Sequence, residues 1–482
     1  MVQIENLIEK TPSFKQITAD LQPKNHQLIT GISGSARTEL LSALSKEGQQ
    51  PILVVTDTIS HMQELASDLE NLLPANRVYQ FPVEEVLAAE VATSSPNYRL
   101  QRVLALNALI NREPTVVVAS AAGLRRNIIS PEYFAQSSLK IKTGGEVDPA
   151  KIRQQLSAMG YQYQKMVLRP GDFAIRGSII DIYALNTDNP VRIDLFDTEV
   201  DSLRYFDAST QRSIDNVEEV QILPATDFII PATEFSRVYE ALDTEYKKVV
   251  KELSADDADI KQQVANRFEP LLNALKNQHL PNELLEFSNL VYPAKHSLFD
   301  YLPDDGTIYF DDLTRIKQFA KQMTQEDVGW FKDKVAHHQL TDVPDLSNDV
   351  STIIKKDLHP QIYGALFKKG LGNIKLSQIT DLKSRTMQRF FGQMPLLKAE
   401  LQRWIDQGQT VVLMANSPER RKQIAQTLAD FDITATETEL TNIKPNVVQI
   451  VAANLNNGFE MPLAGLVVIT ESEMFKQVKK VH

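Results

Sequence analysis

Short apolar runs alternate with amphipathic stretches through the first 125 residues of the chain. The runs QLIT, PILVVTD and PTVVVAS are rich in β-branched residues, and the stretches between them carry apolar residues at helical spacing. Strands that are apolar on both faces and alternate with helices are typical of a parallel sheet covered by helices. The pattern therefore predicts that residues 1–125 form the first part of an α/β domain.

The pattern changes near residue 150. The segments GDFAIRGSIIDIYAL, PVRIDLFD and VDSLRYFD read as strands, and the stretches RPGD, NTDNP and DTE around them have the composition of turns. Strands joined by short turns pair in antiparallel fashion. We therefore expect an antiparallel α+β insert over residues 126–225.

Two further regions follow the insert. Residues 226–345 have mainly helical patterning, and the apolar run GTIYFDD within them is expected to return as a strand to the first sheet. Residues 346–482 contain the strand-like runs TVVLMAN, NVVQIVAAN and LAGLVVITE around one helical stretch. They are predicted to form a further small α/β domain and the start of a linker.

Composition limits the function classes. The chain has 482 residues, a formal net charge of -11 and no cysteine. The acidic balance disfavours binding of a polyanion by the whole surface, and the lack of cysteine excludes disulfides and thiolate metal sites. No stretch approaches the roughly 20 apolar residues that span a bilayer, and the acidic N-terminus does not resemble a signal peptide. We expect a cytoplasmic protein, monomeric and without a membrane partner.

The sequence TGISGSARTEL occupies the place of a loop between strand and helix, and it resembles a phosphate-binding loop. In the pattern G-x-x-x-x-G-K-[ST], backbone amides cradle phosphate, lysine neutralises its charge and the hydroxyl binds magnesium. The corresponding positions here, with the glycine inside the loop, are Gly31, Gly34, Ala36, Arg37 and Thr38. Alanine adds a Cβ where glycine allows close approach, and arginine replaces a compact ammonium by a larger planar group. Productive ATP binding is therefore not expected.

The second half of an ATPase site is a strand that ends in acidic residues. The candidate is TIYFDDLT, in which Asp311 and Asp312 follow the apolar run and Thr314 stands where a D-E-x-H helicase motif has histidine. This half also departs from an active site. Three interpretations remain: an inherited inactive loop, a tight turn at Gly31 and Gly34 that only begins a helix, or a divergent ATPase that uses Arg37 and Asp311.

Several longer strings resemble one protein family. They are VVVASAAGLRRNIISPEYF, GDFAIRGSIIDIYAL, RIDLFDTEVDSLRYFDASTQRSI and NNGFEMPLAGLVVITESEMF, and together they resemble the N-terminal half of the bacterial transcription-repair coupling factors, Mfd. The first three strings are shared with the excision-repair protein UvrB, whereas the last is more particular to Mfd. UvrB inserts a long hairpin after a strand that resembles residues 79–82 here, and the following stretch FPVEEVLAAEVATSSPNYRL has no room for it.

The resemblance implies a catalytically inactive, UvrB-like module that recruits UvrA in transcription-coupled nucleotide excision repair. It implies an α/β fold in which a degenerate P-loop, helicase-like parallel sheet carries the antiparallel insert, followed by the small α/β domain. RNA polymerase binding, duplex DNA binding and an ATP- and magnesium-dependent motor would lie beyond this chain, which would then be a fragment. No cofactor and no metal are expected for the chain itself. A divergent DNA-dependent ATPase is the alternative, and direct DNA binding by a local basic face is a third.

The insert carries the candidate UvrA surface. In VRIDLFD, strict alternation places Ile193 and Leu195 on one face and Arg192, Asp194 and Phe196 on the other. An aromatic residue beside arginine on a charged face has the composition of an interface anchor, although the ring could instead pack under a loop.

Arg176 precedes Gly177, which inside a strand suggests a bulge. The resemblance assigns Arg176, together with Arg192 and Phe196, to the surface that faces UvrA. For Arg204 and Arg212, in the same insert, a solvated or salt-bridged role is favoured.

Overall fold

The computed structural model describes residues 3–32, 34–93, 95–368 and 371–475. Before the insert, strands with two apolar faces alternate with helices, as the sequence pattern predicts. The strands are β1 His26–Thr30, β2 Ile52–Thr56, β3 Val78–Phe81 and β4 Val116–Ser120. The helices are α1 Ile4–Glu9, α2 Pro12–Ala19, α3 Gly34–Gly48, α4 Ile59–Leu72, α5 Leu87–Thr93, α6 Pro96–Ile110, α7 Ala121–Arg125 and α8 Pro131–Gln136.

The insert comprises residues 139–222, from its first strand to its last. It contains one helix, α9 Pro149–Ala158. Its strands are β5 Leu139–Lys142, β6 Gln162–Tyr163, β7 Asp172–Arg176, β8 Ile179–Ile182, β9 Val191–Phe196, β10 Glu199–Phe206, β11 Ser213–Val217 and β12 Glu219–Ile222. In the insert, β7 to β11 pair antiparallel in chain order, and only the short β6 pairs parallel with β7.

A helix-rich stretch follows the insert and ends in three more strands. The helices are α10 Phe235–Glu252, α11 Ala258–Lys276, α12 Ser288–Val291, α13 Leu298–Tyr301, α14 Leu313–Ala336 and α15 Val350–Lys356. The strands are β13 Thr307–Asp311, β14 Gln361–Gly364 and β15 Gln378–Asp381. The run GTIYFDD therefore forms a strand, as predicted.

All three of these strands join the first four in one parallel sheet. Its order is β15-β1-β14-β13-β2-β4-β3, so β13 and β14 lie between β1 and β2. The predicted boundary between residues 345 and 346 consequently falls inside this region, because β14 and β15 fill positions that the first strands leave open. The start predicted for the insert, residue 126, is also early, since Ile128, Ile129 and Phe134 belong to the buried core of the seven-stranded sheet.

A third region, residues 385–474, forms its own sheet. Its strands are β16 Arg385–Thr386, β17 Thr410–Met414, β18 Ala435–Glu437, β19 Val448–Val451, β20 Phe459–Met461 and β21 Leu466–Thr470. Its helices are α16 Met394–Asp406, α17 Pro418–Ala429 and α18 Glu471–Met474. The strand order is β16-β20-β21-β17-β19-β18, and the three long apolar runs of the sequence form its centre.

The third region packs on α3, the helix that follows the loop after β1. Leu40 and Leu44 of α3 share one buried apolar cluster with Phe459, Met461 and Leu466. Burial of this apolar surface fixes α3 from both sides, by the seven-stranded sheet and by the third region. Among the residues that the structure describes, no helix is long and apolar enough to cross a bilayer.

Candidate functional site

The loop after β1 has the backbone of a strand-to-helix turn. Gly31 and Gly34 both have positive φ, at 63° and 54°, a conformation that favours glycine. A Cβ on Gly31 would lie 2.4 Å from Oδ1 of Asp381. The Gly31 carbonyl accepts hydrogen bonds from the backbone N and Oγ of Ser384, at 2.9 and 2.5 Å. The chain that leaves β15 therefore packs directly on this loop.

Arg37 points from α3 to the end of β13, where its guanidinium forms an ion pair with Asp311. Burial alone would lower the pKa of Arg37. The charge and hydrogen bond of Asp311, together with the charges of Tyr309 and Asp68, outweigh burial and raise the pKa. In a phosphate-loop enzyme the cation faces phosphate and the carboxylate faces magnesium. Here the two groups contact each other directly.

Asp312 is occupied in another way. It has a φ of 61° and caps α14, where its side chain accepts a hydrogen bond from the backbone N of Arg315 at 3.3 Å. The Arg315 side chain lies 3.0 Å from Asp57, which also contacts His61 at 2.5 Å. Burial alone would raise the pKa of Asp57. The hydrogen bonds from His61 and from the backbone of Thr58, together with the nearby positive charges, have a larger opposite effect, so the net shift is downward.

These side chains line a cleft at the carboxyl end of the seven-stranded sheet, with a cavity volume of about 560 Å³. We call it the sheet-end cleft, and it is defined by Arg37, Asp57, His61, Asp311, Asp312, Arg315 and Phe367. Thr38, which corresponds to the magnesium-binding hydroxyl of an active loop, is fully buried, and its Oγ1 has no hydrogen-bond partner among the described residues. Arg37, Asp311 and Asp312, which correspond to residues of both halves of a nucleotide site, therefore contact other protein groups.

A loop of the third region covers the beginning of α3. The backbone N of Asn457 donates to Oγ of Ser35 at 3.2 Å, and that of Asn456 donates to Oδ1 of Asp68 at 3.0 Å. Ser35 in turn donates to Asp68 at 3.3 Å. Burial raises the pKa of Asp68 to about 6. This side of the phosphate loop is therefore occupied by protein groups.

The second candidate site lies on the insert, on the face of β9 that the alternation predicts. Ile193 and Leu195 are buried, whereas Arg192 and Asp194 are half-buried on the opposite face. Phe196, at the end of the strand, is 78% exposed. The alternative that the ring packs under a neighbouring loop is therefore wrong.

Arg192 is held by a carboxylate that the sequence analysis did not single out. Asp181 of β8 is 1% exposed and faces Arg192 across the strand pair. Arg192 donates from Nε to Oδ1 at 2.7 Å and from Nη2 to Oδ2 at 2.9 Å. Its guanidinium stacks on the ring of Phe206, with 4.3 Å to the ring centre. The hydrogen bonds to Asp181 raise the pKa of Arg192.

Arg176 meets the same carboxylate. Its Nη2 donates to Oδ2 of Asp181 at 2.7 Å, and about half of its side chain is exposed. The predicted bulge at Gly177 is wrong. Arg176 pairs with Ile179, so Gly177, with a φ of 62°, lies in the two-residue turn of a hairpin. We call Arg176, Asp181, Arg192 and Phe196 the arginine face.

Arg204, for which a salt-bridged role is favoured, lies 2.8 Å from Asp194. The signal that could have revealed Asp181 is a carboxylate within the apolar strand Ile179–Ile182, since a buried charge requires a partner.

Comparison with known proteins agrees with this architecture. A family model described as the UvrB interaction domain matches residues 139–228, and one described as the MFD D3 domain matches residues 406–474. Over its whole length the chain is 35% identical to the transcription-repair-coupling factor of Bacillus subtilis and 28% identical to that of Staphylococcus aureus.

Along its whole length the chain is similar to the transcription-repair-coupling factors. It corresponds to their N-terminal part and spans 41% of their length. The UvrB interaction match coincides with the insert, and the D3 match covers most of the third region.

One solved structure, the Pyrococcus furiosus Hef helicase domain, covers 94% of the chain and is itself covered to 87%, at 12% identity and a TM-score of 0.15, too low to bear on the fold.

The stretch predicted to lack the UvrB hairpin lies between β3 and α6. Among its described residues there is α5 and no strand. In this chain, therefore, only a short connection joins β3 to the helices that follow it.

Proposed function

We propose that this chain is an interaction module that recruits UvrA through the arginine face of its insert. The observation that carries the proposal is Phe196, an aromatic side chain that is 78% exposed at a strand end. It lies on the same sheet face as two arginines that one buried carboxylate fixes. The face lies inside the region that matches the UvrB interaction domain.

The physical argument rests on what such a face gains from a partner. An exposed phenylalanine keeps a large apolar surface in water, and its burial in a partner pocket is favourable. Aromatic residues and arginine are enriched among the few interface residues that dominate binding energy. Arg192 is already fixed in orientation, so its side chain loses little conformational entropy on binding.

We further propose that the chain neither binds nor hydrolyses ATP and needs no magnesium. The ion pair between Arg37 and Asp311 supports this, because a nucleotide would have to break it and also displace the contacts of Asp312 with α14. The recruitment would serve transcription-coupled nucleotide excision repair at stalled RNA polymerase. ATP-dependent movement on DNA and polymerase binding are assigned in this proposal to other parts of the whole protein.

The test of recruitment is the affinity of purified UvrA for the chain and for the double variant Arg176→Ala, Phe196→Ala. Loss of an interface anchor of this kind typically costs about 2 kcal/mol or more, so a decrease of at least about 30-fold is expected. The matched control is Arg112→Ala, Phe431→Ala, which removes an exposed arginine and an exposed ring outside the insert.

The control variant is expected to bind UvrA like the unchanged chain. Equal affinity of the arginine-face variant and the unchanged chain would refute the assignment of the site. The competing function, a divergent ATPase using Arg37 and Asp311, predicts DNA-stimulated phosphate release that disappears in Thr38→Ala. We expect no release from either protein.

A further inference from the structure

We propose that Asp181 is the positioning residue of the arginine face, which holds Arg176 and Arg192 together so that they bind the partner as one unit. The inference rests on the proposed function and adds to it a residue that never touches the partner. Asp181 is buried beneath both guanidinium groups, so it acts only through them.

The geometry of the carboxylate is the first step. Both of its oxygens accept hydrogen bonds, Oδ1 from Nε of Arg192 and Oδ2 from Nη2 of Arg192 and Nη2 of Arg176. Two guanidinium groups thus meet at a single oxygen atom. Without the negative charge between them, two arginines this close would repel each other.

The second step is the rigidity of Arg192. Its contact with Asp181 uses two donors of one edge, which fixes the plane of the guanidinium. Phe206 supports that plane from below, and Gln211 accepts a further hydrogen bond from Nη2 at 3.1 Å. Only 13% of the side chain is exposed, so little of it is free to move.

The third step is what remains available to a partner. Among the described residues, Nη1 of Arg192 and both Nε and Nη1 of Arg176 have no hydrogen-bond partner. One carboxylate under two guanidinium groups leaves a net positive charge at the surface. The face is therefore preorganised for an acidic group of the partner next to a pocket for Phe196.

The register of the strands places these groups close together. Asp181 pairs with Arg192, and Arg176 pairs with Ile179, which pairs in turn with Asp194. Phe196 follows two residues later on the same face of β9, and the backbone N of Leu195 beside it donates to the carbonyl of Ser178 in the β7–β8 turn. The two arginines and the ring thus lie on one face of the insert sheet.

The experiment is a double-mutant cycle on the whole chain, with the affinity for purified UvrA as readout. Asp181→Asn keeps the shape of the side chain but removes the charge, and we expect it to weaken UvrA binding about 10-fold. In the Arg192→Ala background the same change is expected to cost about 3-fold or less, because most of the contacts through which Asp181 acts are already gone.

A matched control separates positioning from loss of a buried charge. Asp227 is as buried as Asp181 and pairs with Arg102 at 2.9 Å, away from the arginine face. Asp227→Asn is expected to lower the melting temperature. At temperatures below that melting temperature, the variant is expected to bind UvrA as tightly as the unchanged chain. Binding is measured well below the melting temperature of every variant. If Asp181→Asn does not fold, Asp181→Glu, which displaces the charge by one methylene, replaces it in the same cycle with a smaller expected loss.

The outcomes are distinguishable. If the variants of Arg176 and Phe196 lose UvrA binding but Asp181→Asn binds like the unchanged chain, the positioning role is wrong and the recruitment proposal stands. An equal loss from Asp181→Asn with and without Arg192 would show that Asp181 does not act through Arg192, and it would overturn the proposal that the two arginines bind as one unit. If the variants of Arg176 and Phe196 bind normally, the recruitment site itself fails.

Discussion

Two arginine–carboxylate pairs in this chain have opposite consequences. In the sheet-end cleft, Arg37 pairs with Asp311. Each of these side chains thus contacts the other where, in an active site, it would face the nucleotide or its magnesium. On the arginine face, Arg192 pairs with Asp181 through one edge only, so its Nη1 has no hydrogen-bond partner among the described residues, and Phe196 is exposed on the same face of β9. The difference lies in where the carboxylate sits. A carboxylate across the cleft takes up the charge of the cation, whereas one beneath the sheet face holds the cation outward.

The largest expected effect breaks the pair in the cleft. Asp311→Asn leaves the guanidinium of Arg37, only 19% exposed, without its counter-charge, which typically costs about 3 kcal/mol. We expect a lower urea midpoint. Because replacement of both partners by apolar residues is often tolerated, Arg37→Met with Asp311→Leu is expected to recover much of the loss. A double variant less stable than Asp311→Asn alone would contradict this account.

The next effect concerns Asp68, at the contact between α3, α4 and the third region. Burial raises the pKa of Asp68 to about 6, from an ordinary value near 3.8. As pH rises from about 4 to 6, the unfolded chain releases this proton before the folded chain does, so stability falls and then levels off. The pKa shift of Asp68 corresponds to a loss of about 3 kcal/mol in the free energy of unfolding between these pH values.

The measurement is urea unfolding of the chain and of Asp68→Asn. The variant is expected to gain stability relative to the unchanged chain between pH 4 and pH 7.5. A constant difference over that range would show that the proton on Asp68 does not matter.

A smaller effect is expected at Phe196. Because its ring makes little contact with the insert, Phe196→Ala should change the free energy of unfolding by less than about 0.5 kcal/mol. Thermal unfolding of the chain measures this. A clear destabilisation would indicate that the ring supports the fold. Phe196 would then be held by the protein itself, like the side chains of the cleft, and would not be free for a partner.

The smallest effect is expected from restoring the phosphate-loop residues. Ala36→Gly with Arg37→Lys brings back the consensus residue types, but Ser384 still binds the Gly31 carbonyl and the loop at Asn457 still contacts Ser35. We expect no ATP binding by equilibrium dialysis or calorimetry. Millimolar or tighter binding in this variant would show that the two substitutions alone inactivated the loop.

Much of the molecule follows from local patterns. The strand and helix periods gave the parallel sheet, the antiparallel insert and the alternation that exposes Phe196, because side-chain direction in a strand depends only on position parity. The two glycines of the loop after β1 have the positive φ that their residue type favours. The motif residues Arg37, Asp311 and Asp312 were recognisable from their distance to the preceding apolar runs.

Only the tertiary structure decided which groups meet. Arg37 and Asp311 are 274 residues apart in sequence and touch because β13 returns to the sheet beside β14. Asp181 reaches Arg176 and Arg192 because three strands align in one register, and the loop at Asn456 reaches α3 because a separate sheet packs there. Sequence determines the direction of each side chain along its own element, whereas the partners of a buried charge depend on long-range packing, which no local pattern encodes.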